Sequence, residues 1–249
     1  MQPLANKVVI VTGASRGLGR SIATRFADGG ATVIATARSK DALQQLADEW
    51  HNCKTNDTEN GVLGSGTIVP HACDLTVANE VEDLIRFTLD KYGQIDVLIN
   101  NAGVGSYAPV HEIAEEDWDT MMAVNLKAPY LTCKYAIPHF IERQAGHIVN
   151  ISSVAGTVTF KGGGGYCASK FGLMALTDVL TEELKPHQVR VSVICPGSIQ
   201  TDFAGTPAKS YSLKPEHVAK VAYDMVTAPE GVILNQVVMR PQVPPELQK

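Results

Sequence analysis

Two groups of residues in this chain could do chemistry together: a tyrosine–lysine pair in its second half and a glycine-rich turn near its start. Tyr166 and Lys170 stand four positions apart in Tyr166-Cys167-Ala168-Ser169-Lys170, so on a helix they share one face. A phenol with a free pKa of about 10 gives little phenolate near neutrality. A lysine cation one turn away favours the phenolate, so the pair can serve as acid in one direction and base in the other. The turn Thr12-Gly13-Ala14-Ser15-Arg16-Gly17-Leu18-Gly19 follows the apolar run Val8 to Val11 and opens an amphipathic stretch with Ile22, Ala23 and Phe26. Strand, tight turn and helix in that order bring free N–H groups and a helix dipole up to a pyrophosphate.

Both groups need a scaffold, and the hydrophobic pattern describes one. Strand-like runs at Val8 to Val11, Ala31 to Thr36, Ile95 to Ile99, His147 to Ile151 and Val189 to Cys195 are joined by weaker candidates at Thr67 to Val69 and Val232 to Met239. Between them lie amphipathic helices, clearest where Val81, Leu84, Ile85, Thr88, Leu89 and Tyr92 repeat at a helical period, and again at Val218, Val221, Ala222, Met225 and Val226. This alternation predicts an α/β fold: a single doubly wound Rossmann-type domain with a parallel sheet of about seven strands and helices on both faces. The polar stretch His51 to Gly66 is expected to be a surface loop. One domain then spans 1–249, with a cofactor half at about 1–150 and a catalytic and substrate half at about 151–249.

Composition excludes several other classes. The 249 residues carry 21 Lys and Arg against 26 Asp and Glu, a net charge of -5, which does not suit nucleic acid as the main partner. No apolar run reaches the roughly 18 residues of a membrane span, and Met1 to Asn6 is too short to hold a signal peptide before the first strand. Five cysteines without a C-x-x-C pair read as reduced thiols of a cytoplasmic protein. The seven histidines are scattered, and no metal site is expected.

The spacing T-G-x-x-x-G-x-G resembles that of the short-chain dehydrogenase/reductase family, and further motifs follow in the family's order along nearly the whole chain. Asp74-Leu75 follows the third strand, where the family contacts adenine. Asn100-Asn101-Ala102-Gly103 ends the fourth strand, Asn125 falls in the long helix beyond it, and Ser152 and Ser153 end the fifth. Pro196-Gly197, with Ile199 and Thr201 behind it, closes the sixth strand and would meet the nicotinamide. The resemblance implies hydride exchange between nicotinamide and a carbonyl or alcohol carbon, with Asn125, Ser153, Tyr166 and Lys170 as the catalytic set. Ser153, thirteen positions before Tyr166, matches the family's serine, and its hydroxyl would hold the developing oxyanion. Ser152, one residue off on a strand, would point the other way. Asn125 is similar to the family's asparagine that orders a relay water beside the lysine. Cofactor contacts are expected from Gly13, Ser15, Arg16, Gly17, Leu18, Gly19, Arg38, Ser39, Asp74, Leu75, Asn101, Ala102, Gly103, Tyr166, Lys170, Pro196, Gly197, Ile199 and Thr201.

The second strand ends in Thr36-Ala37-Arg38-Ser39, with no acid to bond a ribose 2′-hydroxyl. Arg38, Ser39 and Arg16 suit a 2′-phosphate instead, so NADP(H) is the expected cofactor. Two departures bear on the substrate. The ending Leu234 to Pro241 resembles the branch of serine and 3-hydroxy acid dehydrogenases, and the lid from Asp202 to Leu213 is short. A small 3-oxo or 3-hydroxy compound is therefore expected, with 3-oxoacyl carrier-protein reduction as the alternative. A nucleotide-binding regulator without chemistry is disfavoured by the intact Ser153, Tyr166 and Lys170. An epimerase or dehydratase of the extended branch is disfavoured by the glycine spacing and the missing second domain. The run Gly162 to Gly165 is expected either to make the pocket edge mobile or to be only a flexible loop, the second being preferred. The resemblance also implies a homo-oligomer, a tetramer, through helices carrying Trp118, Met121, Met122, Phe171, Met174 and Leu180.

Overall fold

An unbroken β-branched run, Val8 to Val11, makes β1 (Val8–Thr12), buried along its whole length. A strand covered on both faces needs apolar side chains at every position, because neither side of the pleat meets water. Val9 and Val11 enter one core layer, and Val8 and Ile10 the other. The structure, a computed structural model, describes residues 2–57, 66–201, 203–205 and 209–244.

The chain continues through α1 (Gly17–Asp28), β2 (Thr32–Ala37), α2 (Lys40–Asp57), β3 (Thr67–Ala72), α3 (Ala78–Tyr92) and β4 (Val97–Asn100). Then come α4 (Glu115–Met122), α5 (Ala128–Arg143), β5 (Gly146–Ile151), α6 (Gly164–Leu184), β6 (Val189–Pro196), α7 (Pro215–Val226) and β7 (Gln236–Met239). The strands form one parallel sheet of seven in the order β3-β2-β1-β4-β5-β6-β7. One layer holds α1, α2 and α7 through Ile22, Phe26, Leu43, Leu46, Val218 and Met225. The other holds α3, α5 and α6 through Leu84, Ile85, Leu131, Phe140 and Leu180. The strand order reverses between β1 and β4, and a crevice opens beyond the carboxyl ends of the strands at such a point. The loop after β4 lies between the glycine turn, against Ala102, and the Tyr166 helix, whose Lys170 stands beside Gly103.

Several expectations need correction. Residues 51–57 are not loop but the last turns of α2. Leu43, Leu46, Ala47 and Trp50 are buried and fix the helix, with the Trp50 indole donating to Asp28 at 3.1 Å. Extending a helix that is already nucleated costs little, so a polar tail continues it. The rest of the expected loop, 58–65, lies outside the described residues. The final strand is also shorter than its apolar pattern. A turn bond from Val232 N–H to Pro229 leaves Val232, Ile233 and Leu234 exposed before β7. Met121 and Leu180, expected at a subunit contact, are buried in this protomer's own core, whereas Trp118 and Phe171 are exposed.

Candidate active site

The glycine turn is built by close approach. Gly13 has φ +66°, and a Cβ there would lie 2.9 Å from Ala102 Cα. A Cβ on Gly19 would run into the Gly13 carbonyl, so the first turn of α1 can lie against β1 only as glycine. Thr12 Oγ1 accepts from the N–H groups of Asn101 and Ala102 at 2.9 and 3.0 Å, and Asn101 Nδ2 donates to the Thr12 carbonyl at 2.9 Å. The Asn101 amide thus braces the turn. Leu18 packs inward, while Ser15 and Arg16 stand at the crest. No side chain caps α1 and no acid sits in its first turn, so its leading N–H groups are left for an anion. The Arg16 side chain is exposed and has no hydrogen-bond or ion-pair partner among the described residues. A pyrophosphate fits this donor set.

At the ends of β2 and β3, Ala37 pairs with Ala72 and brings Arg38 near Asp74. The Thr76 N–H and hydroxyl, at 3.0 and 2.7 Å, hold the Asp74 carboxyl below its usual range, and the Arg38 guanidinium adds to this. Leu75 is buried, and Ser39 Oγ accepts from the Ala42 N–H at 3.3 Å. The segment after β6 arches back over the crevice. Gly197 N–H bonds Met239 at 2.7 Å, Ile199 pairs with Leu213, and Thr201 Cγ2 would touch a Cβ on Gly17 at 3.2 Å.

Tyr166 and Lys170 sit in the first turns of α6 and are almost wholly buried, at 7% and 3% exposure. Lys170 Nζ donates to the Ile151 carbonyl at 3.0 Å and lies 5.9 Å from the Tyr166 ring centroid. Ser153, in the turn after β5, has its hydroxyl beside the Tyr166 phenol, donates to the Pro196 carbonyl at 3.4 Å and accepts from Ala155 N–H at 3.1 Å. Ser152 is buried on another path and donates to the Lys170 carbonyl at 3.4 Å. Burial pushes the Tyr166 phenol above its usual value, opposed by the bond to Ser153. Burial also pulls Lys170 down to about 8. In the protein alone, burial outweighs the help that the Lys170 cation was expected to give the Tyr166 phenolate. The same loss of water penalises both charged forms.

Asn125 is not in a regular helix. It lies in a five-residue π-helical turn, Ala123–Lys127, between α4 and α5. Its Oδ1 accepts from Val104 N–H at 2.8 Å, and its Nδ2 donates to the Val104 carbonyl at 2.8 Å and to Ser169 at 3.0 Å. The loop carrying Gly103 is clamped by this one side chain. A Cβ on Gly103 would stand 3.4 Å from Asn125 Oδ1 and 3.6 Å from Lys170 Nζ, so both atoms border the same small space. Deeper still, Asn100, Thr132, Asn150 and Thr177 form a buried chain of hydrogen bonds linking β4, β5, α5 and α6. Sequence reading did not single out Thr132, Asn150, Thr177 or Ser169.

It also missed the aromatic mouth. Tyr107 and Phe203 pack against the Tyr166 ring with centroids at 5.7 and 5.6 Å, and Phe160 packs against Tyr107 at 5.5 Å. Their signal was position: Tyr107 follows the Asn-Ala-Gly motif, and Phe160 and Phe203 fall in the segments before Tyr166 and after Thr201. Within the run Gly162 to Gly165, the last three glycines prove tightly packed rather than loose. A Cβ would meet the Phe160 ring from Gly163 at 2.5 Å, Val110 from Gly164 at 2.7 Å, and the Met121 methyl from Gly165. Of the lid, Asp202 and 206–208 lie outside the described residues.

A family model for short chain dehydrogenases matches residues 7–211. The chain belongs to the short-chain dehydrogenase family. An uncharacterized oxidoreductase of Staphylococcus aureus is 32% identical over 243 residues, covering 97% of this chain and 100% of that one. The 3-oxoacyl-[acyl-carrier-protein] reductase of Thermotoga maritima is 32% identical over 247 residues, covering 94% and 96%. The crystal structure of a metagenomic short-chain oxidoreductase in complex with NADP superposes with a TM-score of 0.83 at 36% identity, covering 97% of this chain and 100% of that one. An archaeal alcohol dehydrogenase from Thermococcus sibiricus, complexed with 5-hydroxy-NADP, gives 0.84 at 30% identity, covering 96% and 98%. This short-chain dehydrogenase is thus an oxidoreductase by family. Among its described residues, no helix is long and apolar enough to cross a membrane.

Proposed function

We propose that this protein uses NADP(H) to interconvert a carbonyl and a secondary alcohol on small 3-oxo or 3-hydroxy compounds. The observation that carries the reading is the meeting of Ser153, Tyr166 and Lys170 in the crevice that the uncapped start of α1 also enters. The nicotinamide, when bound, exchanges the hydride. The protein's own part is the proton. As the C=O π pair moves onto oxygen, Tyr166 gives that oxygen its proton and Ser153 hydrogen-bonds it; in oxidation Tyr166 removes the proton. Lys170 lies close enough to draw Tyr166 towards ionisation and to hold the nicotinamide ribose. Asn125 keeps a lone pair on Oδ1 for a relay water in the space bounded by Lys170 and Gly103.

Preference for NADP(H) rests on Arg16 and Arg38 standing exposed at the crevice edge, on Ala37 in place of an acid, and on the two NADP-type complexes among similar structures. The likeness to the Thermotoga reductase supports a second reading, reduction of a carrier-linked 3-oxoacyl group. Comparing kcat/KM for a short β-keto ester, serine and a carrier-linked 3-oxoacyl group with NADPH or NADP+ separates them. A carrier-linked substrate preferred by several orders of magnitude would replace the small-substrate reading. No NADPH oxidation or NADP+ reduction with any of the three would refute the activity. The same proposal includes a cytoplasmic setting, supported by four buried thiols in the reduced state, and a homotetramer built on the faces showing Trp118, Tyr130, Phe171 and Val179. Light scattering that reports a monomer at micromolar concentration would overturn the assembly.

A further inference from the structure

The rings around Tyr166 do not behave like core. Tyr107 is 41% exposed and Phe160 46% exposed, although each has an aromatic neighbour within 5.7 Å of its centroid. They are also held still. Ala108 N–H bonds the Gly162 carbonyl at 3.0 Å, and Ala108 and Gly163 form a parallel bridge that ties the Tyr107 loop to the start of α6. The Phe160 ring lies on Gly163, at a distance that only a residue without a Cβ permits. Phe203 comes from the segment after β6 and lies over Gly105, whose missing Cβ would stand 2.8 Å from that ring. Tyr107 meets the Tyr166 ring edge-on at 86° and Phe160 meets Tyr107 at 70°; half-exposed rings fixed in this way beside the reactive tyrosine form a preorganised apolar site.

We propose that Tyr107, Phe160 and Phe203 form an aromatic collar that selects carbonyl substrates carrying an uncharged planar ring over aliphatic and carboxylated ones. The proposal rests on the carbonyl-reducing role of Tyr166 and adds what stands beside the reacting carbon. Stacking and edge contacts favour a flat ring over a saturated one of similar area by about two- to tenfold per contact, and a carboxylate would lose water against the Phe160 and Phe203 rings without a hydrogen bond from them in return. Lys170 is the cation found against the Tyr166 ring, and it lies in the buried floor.

The test uses the full chain with NADPH and three β-keto esters of like reactivity: methyl 3-oxo-5-phenylpentanoate, its 5-cyclohexyl analogue and methyl acetoacetate, with 4-oxopentanoate as the charged ketone. The phenyl ester should exceed the cyclohexyl ester in kcat/KM by about three- to tenfold, with most of the difference in KM. The charged ketone should be the poorest of the four. Phe160→Leu, at a half-exposed position, keeps apolar volume and should bring the phenyl-to-cyclohexyl ratio to near one, while Phe160→Tyr should retain it. Equal rates for the two rings in the unmodified enzyme, or an unchanged ratio in Phe160→Leu, overturn the collar and leave the reductase reading standing. Failure to oxidise NADPH with all four ketones, with NADPH binding intact, instead overturns the reductase reading itself.

Discussion

The floor of the crevice and its rim are made of different chemistry. On the floor, Asn125, Ser153 and Lys170 are each hydrogen-bonded to named backbone atoms, and Tyr166 is sealed from water. On the rim, Arg16 and Arg38 stand in solvent at one end, and Tyr107, Phe160 and Phe203 present rings at the other. The floor fixes a few atoms to within a fraction of an ångström, which proton transfer requires. The rim offers charge and area, which choose between molecules but do not turn them over. Floor substitutions should therefore change the rate with every substrate, and rim substitutions should change ratios between substrates or cofactors.

The largest effect belongs to the floor. Tyr166→Phe removes one proton and little volume, so kcat should fall by about a hundred- to ten-thousandfold for every ketone, with NADPH affinity nearly unchanged. Steady-state kinetics beside fluorescence titration check this, and near-normal turnover would erase the distinction between floor and rim. Next in size is a rim change. Arg38→Asp removes a cation and adds an acid, and should move the NADPH-to-NADH preference by about ten- to a hundredfold, the size of one or two charge-assisted hydrogen bonds. Paired cofactor titrations read this, and equal loss of both cofactors would mean that Arg38 holds the fold and not the phosphate.

Asn125→Ala tests whether the floor is also structural. It strips hydrogen bonds from both the N–H and the carbonyl of Val104, at about 1–3 kcal/mol for each buried group left unpaired. Urea unfolding should show that loss alongside a lower kcat; full stability would separate the two roles. The last effect, absent at neutral pH, lies beneath the floor. His147 on β5 is buried, bonded to Ser192 at 2.9 Å, and held by burial at a pKa of about 3. As pH falls from about 6.5, the unfolded chain takes up a proton that the folded chain refuses until about pH 3. Stability should thus decline across that window by up to about 1.4 kcal/mol per pH unit. His147→Gln should flatten this slope in melts between pH 4 and pH 7.

The floor was legible in the sequence because its parts are tied to the backbone. Gly13 and Gly19 mark close approaches, and Tyr166 and Lys170 keep a helical spacing that any helix would honour. The same reading went wrong where packing outweighs composition. His51 to Asp57 looks like loop by its polar residues, yet Trp50 and its neighbours anchor a helix that runs through it. Gly162 to Gly165 looks slack, yet each of three consecutive glycines makes room for a side chain brought in from elsewhere. The rim was hidden for a related reason. Tyr107, Phe160 and Phe203 come from three separate loops and share no periodicity, and only the closed fold sets their rings side by side.

The π-helical turn at Ala123–Lys127 acts as a phase shifter. Each residue advances a helix by about 100°, and the single inserted residue of a π turn resets the angle between the helix before it and the helix after it. Here α5 keeps Leu131 and Phe140 in the core layer, while α4 is free to aim Met121 at Gly165 beneath the Tyr166 helix. Without that inserted residue α4 would be rotated by about 100° relative to α5, and Met121 would lose its place against Gly165 while Leu131 kept its own. A chain one residue shorter at this turn would have to choose between seating α5 on the sheet and supporting the helix that carries its tyrosine.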